Sequence, residues 1–411
     1  MATQSRSSST NSHLPSVVLS RRVRWLTGSA LVTLFALMLL MAYLMPFAYM
    51  SATALKDMNQ ITEPGAPLWP ARKMTFQYNI PYEVQSKDTI SRLIKLYKNY
   101  DVTTDTLIAV NNLLPPDYAL PPEGTTILIP TLYPVYKLPT DEGVKLCALV
   151  TPYNDSAVFV DTQNPEAGTF EWLGNWRSLE PVWEFSARWE NFQTVWVRIK
   201  FPLLMYNTIA IAVVGVIGTL LSCIVVAYGF SRFRIPGKSI LFMVLMGTII
   251  LPRFITLIPT YAVFAKIGWV GTWLPLLVPH FFANAYNTFL LRQYFLTIPR
   301  EMDEAAMIDG ASPLHTLISV IVPQAVPAIV AVSLFHFFYA WNDFFEPMIY
   351  LSQKPDLQPI AVGVQNFNFI YGREPHLIQA TALMGLVLPL IIFFLAQRVF
   401  MQGVVFTGVE K

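Results

Sequence analysis

The densest group of chemistry-bearing residues is Pro299-Arg300-Glu301-Met302-Asp303-Glu304-Ala305-Ala306-Met307-Ile308-Asp309-Gly310-Ala311-Ser312-Pro313. Glu304 and Asp309 offer carboxylates that basic or backbone donors on another surface can engage. Pro299 suits a first helical position and Gly310 a C-terminal cap, so one short helix should end at a sharp turn. Ser312 can then cap a second helix that starts at Pro313, with Leu314, Leu317, Ile318 and Ile321 on one face. The expectation is an exposed helix-turn-helix knob with acidic ends. Elsewhere, Gly237-Lys238-Ser239 mimics the end of a phosphate-binding loop, but Arg232 stands where the first glycine of that motif belongs. A basic turn is the better reading, and the chain itself is not expected to hydrolyse ATP. Neither HExxH nor GxSxG occurs, which removes support for a membrane protease or lipase of those classes.

Other polar groups stand inside apolar runs, where an ionisable or amide side chain marks a pathway by default. Arg253 lies about 21 Å along its run from Ser239 at helical rise, between Pro252 and Pro259; it either faces a pathway or snorkels to the outer surface. Asn284 and Asn287, at i and i+3, can offer hydrogen bonds to a sugar or serve helix-helix contact. Asn342 and Asp343 sit near the outer end of a further run.

The elements that must position these groups are membrane helices. Of 411 residues 54% are hydrophobic, and only 28 are Lys or Arg and 26 Asp or Glu, a balance that argues against a soluble enzyme. Net charge is +2, without the basic face that nucleic acid requires. Two cysteines, Cys147 and Cys223, exclude a disulfide scaffold or a four-cysteine zinc site, and no metal is expected. A bilayer core needs about 20 apolar residues per helix. Six runs qualify: Trp25 to Met50, Leu203 to Phe230, Ser239 to Ala265, Ile267 to Leu291, Val326 to Tyr350 and Leu377 to Gln397. Arg6, Arg21, Arg22 and Arg24 precede the first run, and Arg232, Arg234 and Lys238 follow the second, so both termini are expected in the cytoplasm. The domain layout is a cytoplasmic tail over 1-24, a first span over 25-50, an outer insertion over 51-200, and a core over 201-411 that carries the knob within 299-327.

The outer insertion holds 30 of the chain's charged residues, a water-soluble segment set inside a membrane protein. Pro64-Gly65-Ala66-Pro67 and Trp69-Pro70 suit an extended connector. From 82 to 130 the pattern is strand, helix, helix, strand: Asp88-Thr89 caps a run with Ile90, Leu93 and Ile94 on one face, Leu107 and Ile108 mark the second helix, and Thr126 to Pro130 the second strand. Pro81, Pro130 and Pro134 look like its boundaries. Residues 131-200 are expected to be β-rich, with Trp183, Trp189 and Trp196 near a membrane interface.

Glu304-Ala305-Ala306, Asp309-Gly310-Ala311 and Pro323 resemble the EAA signature of binding-protein-dependent ABC importer permeases. Ala227-Tyr228-Gly229-Phe230-Ser231-Arg232, Pro259-Thr260-Tyr261 and Trp341-Asn342-Asp343-Phe344 extend the resemblance, which is greatest to the maltose-type carbohydrate branch. The resemblance implies an all-α polytopic fold with a cytoplasmic coupling helix at the knob. It also implies a sugar or oligosaccharide as cargo and these partners: ABC ATPase subunits that bind the ATP, a second permease subunit and an extracytoplasmic solute-binding protein. No cofactor of the chain's own is implied. The unit over 82-130 is similar to a LysM module, a family that binds peptidoglycan and other N-acetylglucosamine glycans. By that likeness Tyr82, Asp88, Thr89, Asn112 and Tyr118 are glycan-contact candidates, with a docking spacer as the alternative, since Lys87 replaces the usual glycine. A membrane-anchored cell-wall sensor that uses this ectodomain is the alternative function; an EAA knob is not needed for it.

Overall fold

In a computed structural model the described residues are 16-98, 101-113, 119-140, 143-369 and 372-405. Helix α1 (Ser16–Ala54) comes first. Its side chains from Ser29 to Tyr49 are exposed, and burial is complete only at Thr53 and Ala54. A stretch apolar all round that stays exposed over 21 residues needs lipid or another subunit around it.

The insertion follows as α2 (Met58–Thr62), β1 (Ala71–Lys73), β2 (Thr75–Glu83), α3 (Ile90–Leu96), α4 (Thr104–Asn111), β3 (Thr126–Thr140), β4 (Gly143–Pro152), β5 (Ser156–Asp161), β6 (Thr169–Leu173) and β7 (Trp183–Phe185). Strands β2 to β6 form one antiparallel meander, and β1 pairs with β7. The expected strand-helix-helix-strand order is present, but its boundaries are not where the prolines suggested. Strand β2 begins seven residues before Tyr82, and β3 runs on through Pro130 and Pro134, pairing first with β2 and from Val135 with β4. The prolines are tolerated for a reason of register. The amide and carbonyl of Leu128 both bond the Asn111 side chain, at 2.7 Å each, so they face away from β2. Residues of the same parity, Pro130 and Pro134, therefore also face away, and Pro81 opposite Leu128 turns its nitrogen to the free edge, so no ladder bond is lost. Leu93, Leu107 and Ile129 are fully buried between the helices and the sheet.

The insertion is fastened to the membrane helices. Gln60 donates to Pro67 O and Trp69 O, and Lys56 Nζ to Pro67 O at 3.0 Å, so the Pro-rich connector is pinned rather than free. Asn191, in α5 (Glu190–Arg198), donates to Ala54 O and Lys56 O at the end of α1. Arg198 pairs with Glu374 at 2.9 Å.

The core then runs α6 (Phe201–Arg232), α7 (Lys238–Gly247), α8 (Arg253–Lys266), α9 (Leu274–Leu277), α10 (Ala285–Thr297), α11 (Glu301–Ile308), α12 (Pro313–Thr316), a π turn (Leu317–Ile321), α13 (Val322–Gln324), α14 (Val326–Asn342), α15 (Phe345–Tyr350), α16 (Ile360–Phe369) and α17 (Pro375–Val405). Among the described residues three helices are long and apolar enough to cross a bilayer: Ser29–Ala54, Phe201–Arg232 and Pro375–Gln397. The other three runs are broken. The third bends by 98° between Ile250 and Arg253; the fifth is interrupted at Asp343 and Phe344, between α14 and α15, and helix Pro313–Gln324 meets α14 at 82° just before that run. The fourth is divided into α9, a 3-10 turn over Val278–Phe281, and α10. Pro252, Pro279 and Pro327 stand at these breaks, each removing a helical N–H donor. With each bent pair counted as one span, the long apolar helices make up to five candidate crossings among the described residues; hydropathy carries no information on direction. Around α6, Cys223, Ala227, Leu291, Phe295, Ile321 and Val332 form the central core.

Candidate functional site

The knob is built as its caps predict. Gly310 has φ +82, its amide bonds Met307 O at 3.0 Å, and the Ala311 amide reaches back to Ala306 O at 2.9 Å. This bond pair is the Schellman arrangement, in which a left-handed residue just past the helix satisfies its last carbonyls. Ser312 Oγ accepts from the His315 amide and Pro313 occupies the first turn of α12. Glu304, Ala305 and Asp309 are exposed, Ala306 and Ala311 half-buried, and Pro323 exposed. The apolar stripe expected on the second helix divides: Leu317 and Ile321 are buried, Leu314 and Ile318 exposed. The π turn, wound wider than an α-helix, separates them.

Beneath the knob lies a contact that sequence reasoning missed. Arg232, the last residue of α6, sits 3.0 Å from Asp303 of α11, with side chains only 8% and 7% exposed. Its Nη2 donates to Ile298 O at 2.9 Å. In sequence Arg232 read as one charge of a basic loop, and only the fold reveals its carboxylate partner. A cleft of about 240 Å³ adjoins the pair, lined by Tyr228, Arg300, Glu304, Met307 and Thr316 among others.

The pathway candidates separate into groups. Asn284 caps α10, its Oδ1 accepting from the Asn287 amide at 3.0 Å. Both line a cavity of about 400 Å³ with His280, Tyr286, Phe335, His336 and Tyr339. Asn287 is buried, and its Oδ1 has no protein partner. The two imidazoles stand edge to face with ring centroids 4.4 Å apart, and Thr219 Oγ1 is 3.2 Å from His336 Nδ1. Gly215 and Gly218 of α6 make room for them: a Cβ at Gly215 would meet His336 Nε2 at 2.6 Å, and one at Gly218 would meet the Phe281 ring at 2.8 Å. The histidines carried a signal that was passed over, since each stands in an otherwise apolar run. Arg253 is not deep in a continuous span. It begins α8, pairs with Glu346 of α15, and lies 4.8 Å over the Tyr339 ring beside the cavity. Asn342 is exposed, donates to Phe338 O and faces a different cavity toward α16 and α17. Asp343 caps α14 and lines neither cavity.

The glycan candidates are largely engaged in holding the insertion together. Asp88 accepts from the Gln85 amide at 2.9 Å and the Tyr82 hydroxyl at 2.8 Å, and its side chain is 1% exposed. The Gln85 bond, followed by the Tyr82 bond, holds the Asp88 carboxyl below the usual carboxylate range against the opposing effect of burial. Thr89 Oγ1 caps α3 by accepting from Arg92 N. Asn112 is exposed in a left-handed cap, with φ 48, and Tyr118 lies outside the described residues. Cys147 and Cys223 are both buried and free, and burial pushes the Cys147 thiol up to about 11. Among the described residues no cluster of His, Cys, Asp or Glu is disposed to hold a metal.

Residues 218-405, from within α6 to the end of α17, match the family described as binding-protein-dependent transport system inner membrane component. The sn-glycerol-3-phosphate transport system permease protein UgpE of Rhizobium meliloti is 30% identical over 213 residues, which cover 51% of this chain and 75% of that protein. The chain belongs to this family of permeases. The osmoprotective compounds uptake permease protein GgtD of Synechocystis is similar to the permease over a longer stretch, 29% identical over 282 residues, 67% of this chain and 93% of that one. A solved structure of a bacterial ABC transporter involved in import of the acidic polysaccharide alginate has a TM-score of 0.48 to it, at 24% identity over 54% of this chain and 81% of that one. The matched segment holds the knob and the cavity, while the ectodomain lies outside it. The permease is thus a multi-pass membrane component of an ABC importer, a transport subunit rather than a catalyst.

Proposed function

We propose that the permease moves a sugar, an oligosaccharide or a related polyol through a pathway that includes the cavity at Asn284, Asn287, His280 and Tyr339. Separate ATPase subunits bind the ATP and seat on the α11–α12 knob, a second permease subunit completes the pathway, and an extracytoplasmic binding protein delivers the cargo. The observation that carries this reading is the exposed knob, whose Glu304 and Asp309 face outward from a turn that Gly310 alone makes easily. The cavity supports the cargo class: amide and imidazole groups for hydroxyls beside the rings of Tyr286, Phe335 and Tyr339. Relatives named for uptake of osmoprotective compounds and for transport of sn-glycerol-3-phosphate support a small organic solute as cargo as well.

Six crossings result when each broken run counts as one span with α1, α6 and α17. The arginines before the first span and those after α6 then place both termini and the knob in the cytoplasm and the ectodomain outside. The β2–α3–α4–β3 order supports the LysM-like reading of the ectodomain. With Asp88 and Thr89 engaged internally, a docking spacer fits better than glycan contact at that loop. The test is to tag the permease in its native host and isolate it from membranes. Co-purification of an ATPase that is stimulated by cargo-loaded binding protein is expected; a permease that transports after Glu304→Arg would remove the knob from the mechanism.

A further inference from the structure

α6 is the one long core helix outside α17 without an internal break: its 32 residues are α-helical from Phe201 to Arg232, with proline only in the first turn. It packs against α10, α14 and α16. At one end Arg232 meets the knob; about 21 and 26 Å away, at 1.5 Å per residue, Gly218 and Gly215 back Phe281 and His336, the second of which lines the cavity. The guanidinium of Arg232 joins three elements. It stands on the carbonyl end of α6, donates a hydrogen bond to Ile298 O just past α10, and contacts Asp303 in the first turn of α11. A cation at a helix C-terminus and an anion at a helix N-terminus are each on the favourable side of the helix dipoles. Yet burying both charges is a poor way to gain stability, since an apolar pair of similar volume would do as well or better. What the ion pair adds is a charge contact across the joint: Arg232 Nε and both Asp303 carboxylate oxygens lie buried without a hydrogen bond, so Nε and Oδ2 meet by charge alone. A second tie, Arg292 Nε to Phe230 O at 3.3 Å, keeps α10 on the same helix end.

We infer that Arg232 and Asp303 form a positioning strut, which fixes the angle between the knob and α6 so that displacement of the knob moves Gly215, and with it the His336 ring that lines the cavity. This inference rests on the knob being the ATPase seat. If the strut is absent, the knob can tilt on its turn while α6 stays in place, and ATP turnover is no longer linked to cargo.

The test uses the full permease, tagged in its native host and isolated with its partner subunits, and reads the ratio of ATPase rates with and without cargo-loaded binding protein. Arg232→Gln and Asp303→Asn each leave one buried charge unpaired, so assembly itself is expected to suffer in the single variants. The double variant R232Q/D303N leaves none. Its expected behaviour is normal co-purification of the ATPase with stimulation lowered at least fivefold, and partial recovery of stimulation in the charge-retaining Asp303→Glu. Wild-type stimulation in the double variant overturns the strut, because removal of charge alone would then suffice. Failure of the double variant to assemble also overturns it, since the pair would be a folding requirement. Glu304→Arg separates the two levels: if it abolishes stimulation while R232Q/D303N does not, the strut falls and the knob assignment stands; if neither variant changes stimulation, both fall.

Discussion

Between residues 51 and 200 polar side chains close upon one another, whereas in the membrane-helix core several remain open. Asp88, Asn111, Gln60 and Asn191 each make two or more hydrogen bonds within the chain, and together they hold loop to helix, helix to strand and insertion to span. In the core, Asn287 Oδ1 is buried without a protein partner, and Glu304 and Asp309 stand outward on the knob. A group with its hydrogen bonds satisfied has little left to offer a ligand, while a buried unsatisfied acceptor is destabilising by about 1–3 kcal/mol until something pairs with it. By this contrast the core is the working part of the molecule and the ectodomain its support.

The comparison breaks most readily at the knob. Glu304→Arg should lower uptake by at least tenfold in whole cells while the amount of protein in the membrane stays normal; unchanged uptake would place the open groups of the core outside function. Next in size, Leu107→Ala in the ectodomain should destabilise that unit by about 2–5 kcal/mol, because a fully buried leucine leaves a cavity. Limited proteolysis of the permease in membranes reads this, and transport should fall less than protease resistance does. Gly310→Val should be milder, with about 1–2 kcal/mol of backbone strain at φ +82 and uptake reduced severalfold. Asp88→Asn sharpens the other side. A carboxyl held low stabilises the fold above the unfolded pKa near 3.9, and that contribution is lost as pH falls through the folded value. The variant should therefore be more protease-sensitive than wild type at pH 7, and the difference should shrink as pH falls through the folded value; a difference that does not change with pH would show that the charge is not the cause. The smallest expected effect is none: an impermeant thiol reagent should leave Cys147 unlabelled in intact spheroplasts, being 1% exposed with its thiol held protonated. In the same cells Asn154→Cys should label and Ser312→Cys should not, and the reverse would invert the topology.

Much of this contrast was legible in the sequence, for reasons that differ by element. Caps are local, so Ser312, Gly310 and Thr89 announced the ends of their helices directly. Apolar length is local as well, which located α1, α6 and α17. Bends are not: Pro252 and Pro327 stand at two of the breaks, but the angles of 98° and 82° depend on what packs against each half. The cavity was half visible. The i, i+3 spacing of Asn284 and Asn287 brought them together as expected, though Asn284 caps α10 rather than sharing its face, whereas His280 and His336 are 56 positions apart and meet beside Gly215 on a third element. Arg232 and Asp303 were hidden by the same limit, each reading as an ordinary loop charge.

Strand β3 has a mechanical meaning as well. Because a single continuous strand serves first β2 and then β4, no cut at residue 130 can free one half of the ectodomain from the other. Excising 82-130 would remove Thr126 to Pro130, the first third of the strand, and with them the partners of Asn79, Ile80 and Pro81, so the edge of the β-rich remainder would keep only the pairing of Thr75 to Tyr78. Tension applied across the ectodomain would likewise load both hairpins in series through that strand. The unit that can be exchanged or deleted as a piece is accordingly the whole span from the end of α1 to the start of α5, and a truncation meant to test the ectodomain should be made at those two joints.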